Sequence, residues 1–246
     1  MKRAIMIALS VLLALIVALP MAFAQGGQGA KATDKVAELS VDWWKWALSK
    51  PVEANPQIGS YKGGPKCNGK PVSPTPGKTW FLAGSNTGEK VKRTCTMPVG
   101  TKLFFPVVNS VAFPFAEGET RHNQRQLVKQ FIREVVNDPD FSMSVTVDGK
   151  EVKSNRIVRA LSPVFSVTLP KDNIFGIPAG KYDDASSNGL WVTLPPLSKG
   201  KHKIHFEMSA PNVDLDPTKP GNEGFFQNNT YHLKVVNENK NGGGDH

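Results

Sequence analysis

Apolar and polar residues alternate with a period of two in five segments of the chain after residue 140. The first such segment places four apolar residues between small polar ones: Phe141, Met143, Val145 and Val147. The alternation recurs in four later segments: residues 165–169, 190–194, 204–208 and 231–235. Asp148-Gly149 between two such runs predicts a tight hairpin turn. Because successive side chains of a strand point to opposite faces, the pattern predicts strands with one buried face.

A helix is expected near the start of the chain. Thr33 or Asp34 can cap it, and Pro51 ends it after about Ser49. Trp43 lies on its apolar face, so we expect this ring to anchor the helix to the core.

A second helix is expected over residues 119–137, before Pro139. Its apolar residues recur at helical spacing: Leu127, Val128, Phe131, Ile132, Val135 and Val136. Residues 79–84 and 102–109 contain continuous apolar runs, which are typical of strands buried on both faces. With about nine strands against two helices, we expect a mainly β protein. The expected fold is an antiparallel β-sandwich, jelly-roll or immunoglobulin-like, with two peripheral helices.

The first 24 residues have the pattern of a secretory signal peptide. Lys2 and Arg3 are basic, residues 4–19 form an apolar run, and small residues in 22–24 occupy the positions that signal peptidase reads. A membrane anchor is the alternative, but this run is shorter than the roughly 20 residues that span a bilayer. We expect a soluble secreted or periplasmic protein, cleaved after Ala24, with no integral membrane segment.

Cleavage would leave 222 of the 246 residues (246 minus 24), enough for one large domain. Residues 25–32 and 237–246 are rich in Gly, Asn, Gln and Lys, so we expect them to be flexible ends. Residues 33–236 are then expected to form a single β-sandwich domain.

The chain contains two cysteines, Cys67 and Cys95. An even pair in an oxidising compartment is expected to form a disulfide. Cys67 lies in a proline-rich segment, residues 50–78, which predicts a long irregular loop. A reactive thiol is the alternative, but neither cysteine belongs to a C-x-x-C pair.

The formal net charge is +9, or +7 once Lys2 and Arg3 are removed. Such a surplus favours anionic partners. Four basic residues recur every fourth position in the second helix: Arg121, Arg125, Lys129 and Arg133. Because this spacing places them in one row, Arg125, Lys129 and Arg133 are candidate contacts for an anionic polysaccharide or another envelope polymer. The alternative is a solvated helix face, and nucleic acid is a weaker choice because no reading motif is present.

Three tryptophans are candidates for stacking on sugar rings. Trp44 and Trp46 flank the apolar face of the first helix, and Trp191 is out of phase with the inward residues Leu190 and Val192. Exposed rings at these positions would bind carbohydrate. The alternative is that they complete the core, since large aromatic side chains are usually buried.

Four residues near the end of the chain echo a calcium loop: Asn212, Asp214, Asp216 and Glu223. Pro217 occupies the position where such a loop needs glycine, and strands are expected to flank it. An ordinary polar turn is the alternative. No other cofactor motif is present.

The sequence motifs of the common enzyme classes are mostly incomplete. No phosphate loop, nucleophile elbow or H-E-x-x-H motif is complete. Three carboxylate pairs remain: Glu117/Glu119, Asp138/Asp140 and Asp183/Asp184. A glycosidase would need two carboxylates roughly 5 to 9.5 Å apart, which sequence spacing does not reveal.

Several runs resemble a group of uncharacterised exported microbial proteins. The resemblance is carried by Trp80-Phe-Leu-Ala-Gly84, Arg93-x-Cys95-x-x-Pro98-x-Gly100, Phe104-Phe-Pro-Val-Val-Asn109, Ser162-Pro-Val-Phe-Ser-Val-Thr-Leu-Pro170, and Leu190-Trp-Val-x-Leu-Pro-Pro-Leu197 followed by Gly200-x-His202-x-Ile204. It covers residues 40–236 and implies no activity. From the basic and aromatic residues we expect an exported protein that binds an anionic or sugar-rich polymer rather than an enzyme, although the sequence leaves catalysis open. A secreted glycan hydrolase and a structural envelope protein are the alternatives.

Overall fold

A computed structural model describes residues 27–58, 79–85, 88–116, 118–214 and 223–237. These residues form two helices and ten strands, with short 3-10 turns at Val52–Ala54 and Ser154–Arg156. The elements follow each other along the chain as α1 (Gly27–Leu48), β1 (Thr79–Phe81), β2 (Lys90–Pro98), β3 (Lys102–Ala112), α2 (Arg121–Asn137), β4 (Ser142–Val147), β5 (Lys150–Glu151), β6 (Ile157–Leu161), β7 (Phe165–Leu169), β8 (Gly180–Leu194), β9 (Gly200–Asp214) and β10 (Glu223–Val236).

The strands form two sheets. The first has the order β1-β3-β8-β6, with β7 also paired to β8, and the second has the order β2-β10-β9-β4-β5. Their inner faces share one core, so the predicted mainly β class and the sandwich are confirmed. Each sheet is mixed, because β1 pairs with β3 and β2 pairs with β10 in parallel. Alternation shows which face of a strand is buried but not its direction, so these two parallel pairs were not predicted.

The core between the sheets is built by the predicted alternating residues together with the continuous apolar run of residues 102–109. Its large buried side chains come from strands of both sheets: Leu103, Phe105, Leu190, Val192, Ile204, Phe206 and Leu233. Burying one such side chain stabilises the fold by about 1.5–3 kcal/mol. Ile132 and Val135 of α2 belong to the same core.

A second core lies between α1 and the other face of the first sheet. Trp43 is fully buried there, as predicted, and its indole Nε1 donates a hydrogen bond to the carbonyl oxygen of Leu82 at 2.8 Å. The rings of Phe104 and Trp191 stack in parallel beside it, with centroids 5.1 Å apart. The first sheet is therefore buried on both faces, and the fold has three layers.

Both helices differ in detail from the expectation. α1 begins at Gly27, inside residues 25–32 that were expected to be flexible. Ala30, Lys31 and Ala32 are good helix formers, so the helix begins before the expected cap at Thr33. Thr120 caps α2, its hydroxyl accepting a hydrogen bond from a backbone N–H of the first turn. Leu127 was expected on the buried face of α2 but is 53% exposed.

The hairpin turn between β4 and β5 has the conformation that Asp148-Gly149 predicts. Both residues have positive φ, 53° and 78°, as a type I′ turn requires. Neither described helix has the length and apolarity of a membrane span. The predicted signal peptide and Cys67 lie outside the described residues, so cleavage and the disulfide with Cys95 stay predictions.

Candidate anion-binding face

The predicted stacking tryptophans are part of the core. Trp191 is fully buried and Trp44 is 3% exposed, so neither ring has an exposed face on which a sugar could stack, and that expectation is wrong. Trp46 is half-buried, with its ring 5.6 Å from that of Phe81. The reason is the third layer. Because α1 covers the first sheet, a strand residue that points away from the core between the sheets points into the core under α1.

The basic row on α2 is partly used by the fold. Arg121 forms an ion pair with Asp184, with 3.6 Å between Nε and Oδ1. The Arg125 guanidinium donates a hydrogen bond to the backbone carbonyl of Ser162 at 2.9 Å. These two residues attach α2 to the first sheet, so the row is not a continuous free surface.

Lys129 and Arg133 continue the row, and Arg133 is exposed. The pKa of Arg159, on the edge strand β6, lies below its ordinary value. Burial is the larger cause, and the positive charge of Arg133 is the second. Among the described residues, none of these three basic groups has a carboxylate within ion-pair distance. This end of α2 remains available to an anion.

A larger basic surface lies at one end of the outer face of the second sheet. We define this basic face by five side chains of β2, β9 and β10: Lys92, Lys201, Lys203, His232 and Lys234. All five are exposed, while the residues that alternate with them, such as Ile204 and Leu233, are buried. The pleat of three neighbouring strands therefore places these basic groups on one side of the sheet.

The strand register places like groups directly opposite each other on this face. Lys234 pairs with Lys201, and His232 pairs with Lys203, across the antiparallel strands β10 and β9. Side chains so paired have Cβ atoms about 4.5–5.5 Å apart, and like charges there destabilise a sheet. No described carboxylate lies within ion-pair distance of the four lysines of the face.

A depression of about 420 Å³ lies at this end of the face. Lys201, Lys203, His232 and Lys234 line it, together with Asp148. The Asp148 carboxylate is already engaged: its Oδ1 accepts the backbone N–H of Lys203, and its Oδ2 lies 2.7 Å from Nδ1 of His202. Among the described residues of the depression, the lysine ammonium groups are therefore the charged groups without an ion-pair partner.

The alternating pattern of the sequence carries a signal for this face. Lysine or histidine occupies every second position in three strands, at Lys90 and Lys92, at Lys201 and Lys203, and at His232 and Lys234. These positions are the polar half of the alternating pattern. Their convergence depends on the order β2-β10-β9, which periodicity does not reveal.

The calcium candidates are only partly described. Asn212 and Asp214 lie in β9, and Glu223 pairs with Asp214 across the hairpin at the start of β10. Asp216 lies outside the described residues. The Asn212 amide donates to Asp138 at 2.9 Å and Asp140 at 3.0 Å. The described residues contain no group of three or more metal-ligating side chains, and the calcium site stays a prediction.

One predicted carboxylate pair comes together in space. Asp138 and Asp140 accept hydrogen bonds from the same amide nitrogen of Asn212. Burial would raise the pKa of Asp138, but the hydrogen bonds from Asn212 and from the Asp140 backbone hold it below its ordinary value. An ionised Asp138 does not serve as the general acid that glycoside hydrolysis requires.

No protein-family model and no curated protein matches this chain. Among solved structures, the solution structure of Amebosin aligns with 66% of this chain and 100% of its own, at 10% sequence identity and a TM-score of 0.20. A TM-score this low carries no argument. The class that the coordinates define is a mainly β protein with a sandwich of two mixed sheets and two helices. The resemblance to exported microbial proteins stays a prediction.

Proposed function

We propose that this protein is an exported binding protein that holds an acidic polysaccharide along the basic face. The observation that carries the proposal is the pairing of two lysines, Lys201 and Lys234, on adjacent strands, with Lys203 two residues from Lys201 on the same face. A protein that places like charges opposite each other loses stability unless an anion lies between them. A polyanion would relieve that repulsion when it binds.

The shape of the face suits an extended chain. Neighbouring strands of a sheet lie about 4.8 Å apart, and alternate residues of one strand about 6.8 Å apart. The lysines of β9 and β10 therefore form a grid of charges on this scale. A polymer with a carboxylate on successive sugar units can contact several of them at once, and each additional contact strengthens binding through effective concentration.

The side chains between the lysines favour a polysaccharide over a nucleic acid. Thr94, Thr96 and Thr146 share the outer face with the basic groups, and their hydroxyls can donate to and accept from sugar hydroxyls. Proteins that bind single-stranded nucleic acid stack its bases on aromatic rings. Among the described residues, the outward partners of these lysines on neighbouring strands are Thr, His or Lys, and the exposed ring of Phe226 lies at the opposite end of β10.

The test compares two double variants with the same change in charge. Retention of the protein is measured by affinity electrophoresis in polygalacturonate, with neutral dextran as the blank. Lys201→Glu with Lys234→Glu should weaken binding by about tenfold or more, which is ~1.4 kcal/mol. Lys129→Glu with Arg133→Glu on α2 has the same net charge and should weaken it much less. Retention should also fall as salt is added, because exposed charges are screened.

Two results would reject the proposal. Equal losses in both double variants would mean that binding follows net charge and not the basic face, and no retention of the wild type would mean that acidic polysaccharide is not the ligand. Oligosaccharide release from the polymer would favour the hydrolase alternative. Tighter retention by single-stranded DNA than by polygalacturonate would favour a nucleic-acid ligand.

A further inference from the structure

A cavity of about 180 Å³ lies at one end of the sandwich, beside both helices. The ends of β3 and β10 and the segments that follow α1 and β1 contribute its walls. Six lining residues matter for its chemistry: Trp44, Gln57, Asn109, Phe131, Phe225 and Gln227. The cavity lies apart from the basic face, because none of its lining residues belongs to that face.

The walls combine aromatic rings with neutral polar groups. Phe131 of α2 and Phe225 of β10 meet edge to face, with ring centroids 5.6 Å apart. Gln57, Asn109 and Gln227 add amide groups, and no described side chain that lines the cavity is charged. Pockets of this kind use apolar walls for contact area and a few polar groups to orient a ligand.

Three lining residues each carry a buried polar atom without a partner. These are Nε1 of Trp44, Oε1 of Gln57 and an amide nitrogen, Nδ2, of Asn109. Trp44 and Gln57 are 3% and 7% exposed. Buried polar groups are normally hydrogen-bonded, and an unpaired one destabilises the protein that contains it. Two donors and one acceptor of lining residues are therefore without a hydrogen-bond partner among the described residues.

The position of Gln57 is set by hydrogen bonds outside the cavity. Its backbone N–H donates to Oδ1 of Asn55 at 2.9 Å, and the Asn55 amide donates to the carbonyl oxygen of Ala47 at 3.0 Å. The preceding carbonyl, of Pro56, accepts from the Arg93 guanidinium at 2.7 Å. The turn is thus fixed to the end of α1 and to β2. A site whose polar groups are positioned in advance binds its ligand at a lower entropic cost.

Gln227 is placed by a close approach to the segment after β1. A Cβ atom on Gly84 would overlap Oε1 of Gln227, so glycine is what lets this side chain occupy the cavity wall. Gln227 is itself buried.

We propose that this cavity binds one neutral sugar ring. A cavity of 180 Å³ is smaller than the roughly 300–1,000 Å³ of pockets for drug-sized ligands, so a single ring fits it better than a longer oligosaccharide. Sugar hydroxyls both donate and accept, so they can pair with the indole N–H of Trp44, the amide nitrogen of Asn109 and the amide oxygen of Gln57. The absence of charge among the described lining residues selects neutral sugars over uronic acids. The inference does not depend on the basic face.

The experiment titrates the protein with four ring probes: D-glucose, D-xylose, N-acetyl-D-glucosamine and myo-inositol. Binding is measured by tryptophan fluorescence, since Trp43 and Trp44 line the cavity, and by saturation-transfer NMR. At least one probe should bind saturably with a Kd of about 1 mM, as a small ring with few contacts does. D-glucuronate should bind more weakly than D-glucose.

Gln57→Met removes the amide oxygen from the cavity wall without breaking a hydrogen bond of that oxygen to another described residue. Because Oε1 of Gln57 has no partner, this variant should keep or raise the melting temperature while Kd rises about tenfold or more. Gln126→Met, on an exposed position of α2, is the matched control and should bind as the wild type does. Trp44→Phe removes the indole N–H and keeps an aromatic ring, so it gives a second independent variant.

Two outcomes would overturn the inference. One is that none of the four probes binds the wild type, which would mean that the cavity holds solvent only. The other is that Gln57→Met and Trp44→Phe both bind as tightly as the wild type. The Lys201→Glu/Lys234→Glu variant should retain sugar binding, so failure of the polysaccharide proposal and failure of this one give different results.

Discussion

Arg93 on β2 donates a hydrogen bond to the carbonyl oxygen of Pro56, 2.7 Å away. The same guanidinium donates to the Tyr231 hydroxyl at 2.7 Å and to the carbonyl oxygen of Ala83, and it lies over the Tyr231 ring. One side chain of the second sheet thus holds the segment after β1 and the turn after α1. Among the described residues, its hydrogen-bond acceptors are two carbonyls and one hydroxyl.

Replacing Arg93 should therefore destabilise the fold. Arg93→Ala leaves the carbonyl oxygens of Pro56 and Ala83 without this donor, and we expect a loss of about 2–4 kcal/mol in the free energy of unfolding. Urea denaturation measures it. Lys92→Ala, the exposed neighbour on the same strand, is the control and should change stability by about 0.5 kcal/mol at most. Similar losses in the two variants would contradict the role assigned to Arg93.

Gly84 and Gln227 should show strong coupling. Gly84→Ala forces the Gln227 side chain to move inside a packed wall, which should cost about 1–3 kcal/mol. In a Gln227→Ala background the same change should cost much less. A double-mutant cycle by urea denaturation measures the coupling, expected at about 0.5–3 kcal/mol. Additive effects would show that the two residues do not compete for space.

The His202–Asp148 pair predicts a pH dependence of stability. The hydrogen bond to Asp148 raises the pKa of His202, with burial acting against it and the Ser198 carbonyl adding to it. The stabilisation is therefore fully present below about pH 6.5 and is lost as the pH rises through the folded-state pKa. Burial would raise the pKa of Asp148, but its hydrogen bonds with His202 and the Lys203 N–H hold it lower. That contribution is present above about pH 3.9 and is lost as the pH falls through the folded-state value.

The pH effect should be modest because Asp148 is 46% exposed, so we expect ~1 kcal/mol or less. The measurement is the free energy of unfolding from pH 4 to pH 9 for the wild type and His202→Gln. The difference between the two should shrink as the pH rises above about 6.5. If the difference in the free energy of unfolding between the wild type and His202→Gln stays constant above about pH 6.5, the charged His202–Asp148 pair is not its cause.

Tryptophan fluorescence should report a buried set of rings. Four of the five tryptophans are at most 3% exposed, namely Trp43, Trp44, Trp80 and Trp191, and Trp46 is half-buried. Acrylamide should therefore quench the native protein several-fold less than the protein in guanidinium, and polygalacturonate should not alter the quenching. Strong quenching of the native protein would mean that α1 leaves the first sheet open.

The predicted disulfide between Cys67 and Cys95 can be tested by thiol titration. Protein isolated from an oxidising compartment should contain no titratable thiol in guanidinium and two after reduction. If the disulfide closes the 28-residue interval (95 minus 67), its reduction should destabilise the protein by roughly 3.5 kcal/mol. Two thiols without reductant would reject the pairing. Denaturant is needed because Cys95 is 1% exposed.

Local pattern was enough to predict the buried face of several strands and helices. Period-two alternation placed Val145, Ile204 and Leu233 in the core, and helical spacing placed Trp43 and Ile132 there. Both results depend on side-chain direction relative to the backbone, which is a property of a few successive residues. The net positive charge likewise follows from composition.

The sites were decided by contacts between distant parts of the chain. Trp191 is buried because α1 packs on a sheet face that alternation marks as the polar side of its strand. Lys201 meets Lys234 because β9 pairs with β10 in one register, and Trp44, Gln57 and Asn109 share a cavity because three separate segments end at the same place. Strand order, register and layer stacking arise from packing free energy summed over the whole molecule, so no short stretch of sequence encodes them.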